Sequence, residues 1–269
     1  MNITYNEKNR VFAIETENAG YYIAVVDGDN FLTHVHYGKK ICIDDNLPHL
    51  LRIDEYPHTP SRNNRDRISF YDSTRWEYPC GGIGDFRESA LNVTNCLGQN
   101  AVNLSYDSHK ITRGKPSLEG LPATWGSEDD CMTLEIKCVD KVLNLEVFLS
   151  YSIFEGIDAV ARSARICNTG NTFVKLEKVY SASLDMDNKG YDLITLHGSW
   201  ARETRAAESI GFRRAWMKFI ATNMPHREPM GLNDCAKFSR RVAVAGSPIA
   251  RMYGFALVSR KLSPQVRMK

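Results

Sequence analysis

The chain has 269 residues, enough for one large domain or two small ones. Its apolar fraction of 43%, charged fraction of 25% and net charge of +2 are those of an ordinary globular protein. No basic run is interleaved with aromatics, which argues against nucleic acid as a partner, and no run approaches the ~18 apolar residues of a membrane span. The start, MNITYNEKNR, lacks an apolar core segment, so a secretory signal is not expected. The seven cysteines are odd in number and form no C-x-x-C, which fits reduced thiols in a cytoplasmic chain better than a disulfide framework or a metal site.

Taken in chain order, the first two hundred residues read as strands. Val11–Thr16 is a short β-rich run, and Tyr21–Val26 follows it after a glycine. Asp27-Gly28-Asp29-Asn30 is a hairpin turn leading into Phe31–Gly38. Leu47–Asp72 contains a long, charged, proline-containing loop, DEYPHTPSRNNRDR, of a length usually reserved for functional or disordered segments. Met132–Lys137, Leu143–Ser150 and Ala159–Ile166 alternate apolar with polar residues, so one face of each meets a core. The turn Asn168-Thr169-Gly170-Asn171 predicts a hairpin between Arg162–Cys167 and Phe173–Val179. From Phe212 to Arg251 the alternation is lost, and Tyr253–Val258 reads as one further strand before a basic tail. No stretch before residue 205 has convincing helical periodicity. The pattern therefore predicts a mainly β chain, an antiparallel β-sandwich with an irregular C-terminal segment and no barrel.

The wording of several segments is specific. WEYPCGGIGDFRESALNV and YDSHKITRGKPSLEGLPAT lie within Trp76–Thr124; YSIFEGIDAVARSARICNTG and KLEKVYSASLD lie within Tyr151–Asp185; LHGSWARE lies within Tyr191–Glu203. In this order they resemble the N-terminal domain of the glycoside hydrolase family 36 α-galactosidases, over roughly residues 1–211. The resemblance implies an antiparallel β-supersandwich that packs on a catalytic (β/α) barrel and takes part in a homo-tetramer. The activity it implies for a complete member is removal of terminal α-galactose from melibiose- and raffinose-type sugars, with retention. That chemistry needs two carboxyl groups about 5–5.5 Å apart, and in the family both belong to the barrel. No residue here is assigned a catalytic role, no cofactor or metal is implied, and the chain alone is expected to be inactive.

Two positions carry over to substrate binding. Asp54, in LLRIDEYP, resembles an acidic family position that reaches the galactose pocket, and Trp200, in GSWARE, resembles a tryptophan of the same pocket. A carboxylate can accept two sugar hydroxyls and an indole can cover an apolar sugar face. The bland alternatives are a turn carboxylate for Asp54 and core packing for Trp200. The resemblance breaks at FRRAWMKFIATNMPHREPMGLND, where the family carries a Ser-Ser-His-Gln-type phrase. It returns at YGFALV and breaks again at Ser259–Ser263, in place of the family's Tyr-Ser-Gly-Asn-Phe-Leu. The expected division is a sandwich domain over 1–211, an off-family, frame-slipped segment over 212–251, and a residual strand and tail over 252–269, with truncation beyond. A stand-alone carbohydrate-binding β-sandwich is the alternative function.

The remaining constellations read as structural. His34-x-His36 on a strand places both rings on one face, without a third ligand at metal-binding spacing. Asp129-Asp130 and Asp185-x-Asp187 fit solvated turns. His109-Lys110 and Lys115-Pro116 fit either an interface or an ordinary charged sheet edge. Asp85 and Arg87 form a local ion pair that fixes the Gly81-Gly82-Ile83-Gly84 turn, which lacks the lysine and helix of a phosphate loop.

Overall fold

The computed structural model describes residues 1–26, 28–43, 74–82, 85, 87–117, 124–187, 193–197, 205–209, 216–221 and 249–258. Every regular element among them is a strand. Four strands, β1 (Asn2–Asn6), β2 (Val11–Glu15), β3 (Ala19–Val26) and β4 (Phe31–Lys39), form an antiparallel meander in sequence order. Two of its hairpin turns carry a left-handed residue, Arg10 at φ 54° and Asn30 at φ 60°, the second of a type enriched in that region. The predicted turn before Phe31 is present, with Val26 paired to Phe31.

The next strands are β5 (Leu91–Asn95), β6 (Ser105–Arg113), β7 (Cys131–Asp140), β8 (Leu145–Phe154), β9 (Ile157–Asn168) and β10 (Val174–Val179). They are followed by β11 (Ala182–Asp187), β12 (Leu193–His197), β13 (Arg205–Ser209), β14 (Trp216–Ala221) and β15 (Ile249–Val258). An antiparallel five-stranded sheet runs β15-β9-β8-β7-β6, and the pairs β5–β10, β11–β14 and β12–β13 complete the pattern. The strands read from alternation at 132–137 and 159–166 fall in β7 and β9, and that at 143–150 lies in β8 from Leu145 onward, with Leu143 and Asn144 in the preceding turn.

One core lies between the meander and the five-stranded sheet. Phe12, Ile14, Tyr21 and Ile23 from one side meet Leu134, Ile136, Val147 and Leu149 from the other, all buried, with Leu91 and Val93 of β5 in the same cluster. At about 25 cal/mol per Å² of apolar surface removed from water, such residues supply the main stabilisation of the fold. Val11, Tyr22, Ala24 and Val35 form a smaller cluster with Ile41 and Ile43 against it. This second cluster explains why β3 is buried almost throughout instead of alternating, since both its faces are covered.

Three sequence expectations are corrected. The segments 162–167 and 173–179 do not form a hairpin. Both edges of β9 are occupied, by β8 and β15, so β10 pairs with β5 instead. The link is drawn toward the β7–β8 turn, where Thr169 N–H donates to Asn144 O at 2.9 Å. Secondly, His34 and His36 do not share a face. The register shifts so that His36 opposes Tyr22 and His34 opposes Ile23, leaving Val35 as the extra residue of a bulge. The His34 ring therefore lies 4.9 Å from Tyr21 and the His36 ring 6.1 Å from Tyr22, on opposite sides of the sheet. Thirdly, Asp185 is no solvated turn residue: it lies within β11 and is 1% exposed, whereas Asp129 and Asp130 do occupy an exposed turn.

His109 and Lys110 sit on β6, an outer strand of the five-stranded sheet, where the His109 ring packs against Tyr5 and Phe12 of the meander. That strand is interrupted at Asp107, where the register with β7 shifts between Tyr106 and Ser108. The six described cysteines are all free thiols. Gly82 has φ +89°, and a Cβ there would meet the Ala101 Cα at 2.6 Å. Gly82→Ala should therefore cost about 2 kcal/mol or more, from backbone strain and overpacking together, read as a lowered midpoint in urea unfolding. A midpoint equal to wild type would show that the turn tolerates a side chain.

Candidate functional site

The segment that returns to the sandwich after residue 73 is stitched along β4. His34 N–H donates to Arg75 O at 2.7 Å, Glu77 N–H donates to Leu32 O at 3.1 Å, and Trp76 forms a bridge with Thr33. The Trp76 indole stands edge-on to Phe31, ring centres 5.0 Å apart. The outgoing chain is also tied: the Tyr22 hydroxyl accepts Ile41 N–H at 3.1 Å and donates to Glu15 Oε1 at 2.7 Å. The described residues that flank 44–73, the stretch that includes Asp54, are thus tied to the β3–β4 half of the meander.

This stitching delivers Glu77, with 0% exposure, into the space between the two sheets. Its carboxylate is the centre of a polar cluster drawn from four strands. Tyr21 of β3 donates to both oxygens (2.8 and 2.9 Å), and Tyr151 of β8 donates to Oε1 at 2.7 Å. Arg162 of β9 pairs with Oε1 through Nη1 at 3.0 Å and donates from Nη2 to the Glu77 carbonyl at 3.0 Å. His34 of β4 brings Nδ1 to 3.6 Å from Oε2, too long for a direct hydrogen bond. The guanidinium also lies over the Tyr151 ring, 5.0 Å from its centre.

The electrostatics follow from this geometry. Burial pushes the Glu77 carboxyl up, but the Arg162 charge, then His34, and the Tyr151 hydrogen bond outweigh it and hold the group below its ordinary range. Burial raises both tyrosine hydroxyls, and the Glu77 charge raises them further against the opposing pull of Arg162. Arg162 stays charged, its loss of solvent offset by Glu77. A carboxylate so enclosed cannot reach a substrate proton; it works as an internal fastening.

The cluster was not singled out by sequence reasoning, although one sign of it was present. Arg162 sits in phase with Val160, Ala164 and Ile166, so the period of β9 turns a guanidinium inward, and a buried charge demands a partner.

A second polar cluster surrounds Arg87. Its Nε and Nη2 reach Asp85 at 2.7 and 3.1 Å, and its backbone N–H donates to Asp85 Oδ1 at 3.0 Å. The expected Asp85–Arg87 pair is therefore present. It extends further than a local turn, because Nη2 also donates to Thr74 O and Nη1 lies 3.6 Å from Asp185 Oδ2.

Asp54 and Trp200 lie outside the described residues. Trp200 falls in the 198–204 segment between β12 and β13, which pair up to His197 and Arg205. Among the described residues, no three His, Cys, Asp or Glu side chains gather as a metal-ligand set, and no helix is long and apolar enough to cross a membrane.

Two antiparallel sheets enclosing one core, bound by a buried Glu–Arg pair, define a β-sandwich domain. The sequence pattern of the glycosyl hydrolase family 36 N-terminal domain matches residues 30–209, and the chain belongs to that family. It is 34% identical over 205 residues to the bifunctional α-galactosidase/sucrose kinase AgaSK of Mediterraneibacter gnavus, covering 76% of this chain and 22% of that protein. It is 36% identical over 211 residues to the α-galactosidase Mel36A of Lactobacillus acidophilus, covering 78% of this chain and 29% of the relative. The crystal structure of the α-galactosidase AgaB from Geobacillus stearothermophilus superposes with a TM-score of 0.70 at 33% identity, over 77% of this chain and 28% of that one. The chain thus spans about a quarter of the length of the relatives it matches.

Glu77→Gln should cost about 3–5 kcal/mol, because it leaves Arg162 buried and uncompensated, and Tyr151→Phe about 1–2 kcal/mol. Chemical denaturation measures both, and values within 0.5 kcal/mol of wild type would deny the cluster its role. The pH dependence has a definite sign. The depressed Glu77 group adds stability above its ordinary value of 4.5, lost as pH falls through the lower folded value. The raised Tyr21 and Tyr151 groups add stability below their ordinary 10.0, lost as pH climbs toward the higher folded values. Relative to Glu77→Gln, wild-type thermal stability should therefore fall below about pH 4.5 with a steeper acid limb.

Proposed function

We propose that this chain serves as the non-catalytic N-terminal domain of an α-galactosidase, a scaffold that helps to complete a sugar pocket and to assemble a homo-tetramer. The observation that carries the reading is the family match over residues 30–209, together with relatives named as α-galactosidases that are more than twice as long as this chain. The carboxyl groups that cleave the glycosidic bond would belong to a barrel, and terminal α-galactosides would bind only with that barrel in place. Asp54 would accept sugar hydroxyls and Trp200 would cover an apolar sugar face. The fastening of residues 41–43 and 74–77 to the meander supports the Asp54 assignment, since a binding loop needs rigid ends.

The proposed division is a sandwich domain over residues 1–211, an off-family, frame-slipped segment over 212–251, and a residual strand and tail over 252–269, the strand lying beside β9. Free thiols at six described positions suit a reducing compartment, in keeping with a cytoplasmic enzyme. A second reading, a sandwich that binds sugar by itself, draws on Trp125, which stands 83% exposed.

The purified chain should not turn over p-nitrophenyl α-galactoside; turnover comparable to that of a complete relative would overturn the proposal. Galactose binding by the isolated chain at millimolar affinity or better, abolished by Trp125→Ala, would favour the second reading. Joined ahead of the part of Mel36A that this chain does not match, the chain should support hydrolysis. There Asp54→Asn and Trp200→Ala should each reduce kcat/KM about tenfold or more. Unchanged kcat and KM in both variants would remove these residues from the pocket.

A further inference from the structure

We propose that His109 is an acid-sensitive fastener between the two sheets, holding the outer strand β6 against the β1–β2 hairpin, so that a proton on its ring loosens this seam while the rest of the sandwich stays closed. The imidazole is half-buried where β6 meets the meander. Its ring centre lies 4.7 Å from that of Tyr5 in β1 and 4.9 Å from that of Phe12 in β2, the latter nearly edge-on at 79°. Its Nδ1 lies 2.8 Å from the Tyr106 hydroxyl on its own strand. Tyr5 and Phe12 pack on each other with ring centres 4.4 Å apart, and Tyr106 lies 6.0 Å from Phe12, so one aromatic cluster spans both sheets.

The backbone of β6 is shaped for this cluster. Residues three apart on a regular strand point to opposite faces. The register shift between Tyr106 and Ser108 inserts Asp107 as an extra residue, which brings Tyr106 and His109 to the same face. The start of the seam is held by groups that keep their charge state near neutrality. Tyr106 N–H donates to Asn30 O at 2.8 Å, and Arg10 Nη2 donates to Asn30 Oδ1. Among the groups that line the seam, His109 is the one whose charge changes between pH 5 and 8.

The surroundings do not compensate a proton on this ring. Glu7, in the β1–β2 turn, favours the charged form, but burial outweighs it and holds the imidazole below its ordinary range. Arg10 in the same turn and Lys110 beside His109 on β6 are cations, and exposed Asp107 lies 3.9 Å from Lys137 Nζ. From β7, Ile136 stands opposite His109, and the buried Cys138 thiol is pushed up to about 12. Burial raises the Tyr106 hydroxyl as well, so it stays neutral. A neutral ring carrying its proton on Nε2 accepts this hydroxyl at Nδ1; an imidazolium has no lone pair there, and the hydroxyl must turn round. The folded group being depressed, its contribution is full above the ordinary 6.5 and is lost as pH falls from there through the lower folded value. That window opens at a higher pH than the one below 4.5 set by Glu77, so the seam loosens before the buried ion pair is protonated.

Two measurements on the intact chain test this. A ring-resolved NMR titration should give His109 a midpoint below 6.5. Hydrogen exchange by mass spectrometry, corrected for the intrinsic pH dependence of exchange, should be about threefold or more faster at about pH 5.5 than at about pH 7.5 in peptides covering 1–15 and 104–113, with 145–166 unchanged. His109→Phe keeps a ring in the seam but cannot take the proton, and should abolish the acceleration, whereas His36→Gln should preserve it. If His109→Phe fails to unfold cooperatively, His109→Gln carries the comparison. A midpoint at or above 6.5, acceleration that survives the His109 substitution or vanishes in His36→Gln, or equal acceleration throughout both sheets would each overturn the proposal.

Discussion

The sandwich turns on one constraint: a carboxylate and a guanidinium, Glu77 and Arg162, stripped of water between two sheets. Removing two ions from water costs several kcal/mol each, so the pair cannot be the source of the fold's stability. What it imposes is geometry. Glu77 must lie where two tyrosine hydroxyls and a guanidinium converge, which places the Trp76–Tyr78 segment between β3 and β4 on one side and β8 and β9 on the other. A shift of the returning chain by one residue would turn Glu77 out of the cluster and leave Arg162 without its counter-ion. The apolar core determines that the sheets pack; this pair determines how the intervening segment is threaded through them.

The family assignment and this constraint meet at the same stretch of chain. WEYP contains Trp76, Glu77 and Tyr78, and all three are used: the indole against Phe31, the carboxylate in the buried cluster, and the Tyr78 hydroxyl donating to Tyr180 O at 2.8 Å. The distinctive wording of this domain is therefore, in part, the record of a structural node. Active-site chemistry is not required to account for it. A relative more than twice as long shares the fold of the region that this chain matches.

The mainly β class was plain from alternation, most clearly in β7, where burial follows the sequence almost residue by residue. Alternation tells which face of a strand is inward but not which sheet the strand joins, so β9 and β10 resembled a hairpin although they part into different sheets. A bulge leaves no mark in composition, and the single extra residue at Val35 separated two histidines that ordinary strand geometry would have put together. Asp185 looked like a turn residue because acidic residues near strand ends usually are. It is buried within β11 with Arg87, nearly a hundred residues earlier in the chain, 3.6 Å away, and no local pattern carries that contact. The strand Trp216–Ala221 was missed because its residues show no clean period. The candidate pocket positions, Asp54 and Trp200, came from family wording and not from periodicity.

The interruption of β6 at Asp107 bears on how the molecule can associate. A long regular outer strand is a template on which another chain can extend a sheet without limit. Here the hydrogen-bonding rhythm is broken near one end, and Asp107, Lys110 and Arg113 add charges of both signs along the strand. Main-chain pairing at that edge is discouraged, so contacts with a neighbouring domain or subunit there would have to be made through side chains. Such contacts are more geometrically selective than backbone pairing.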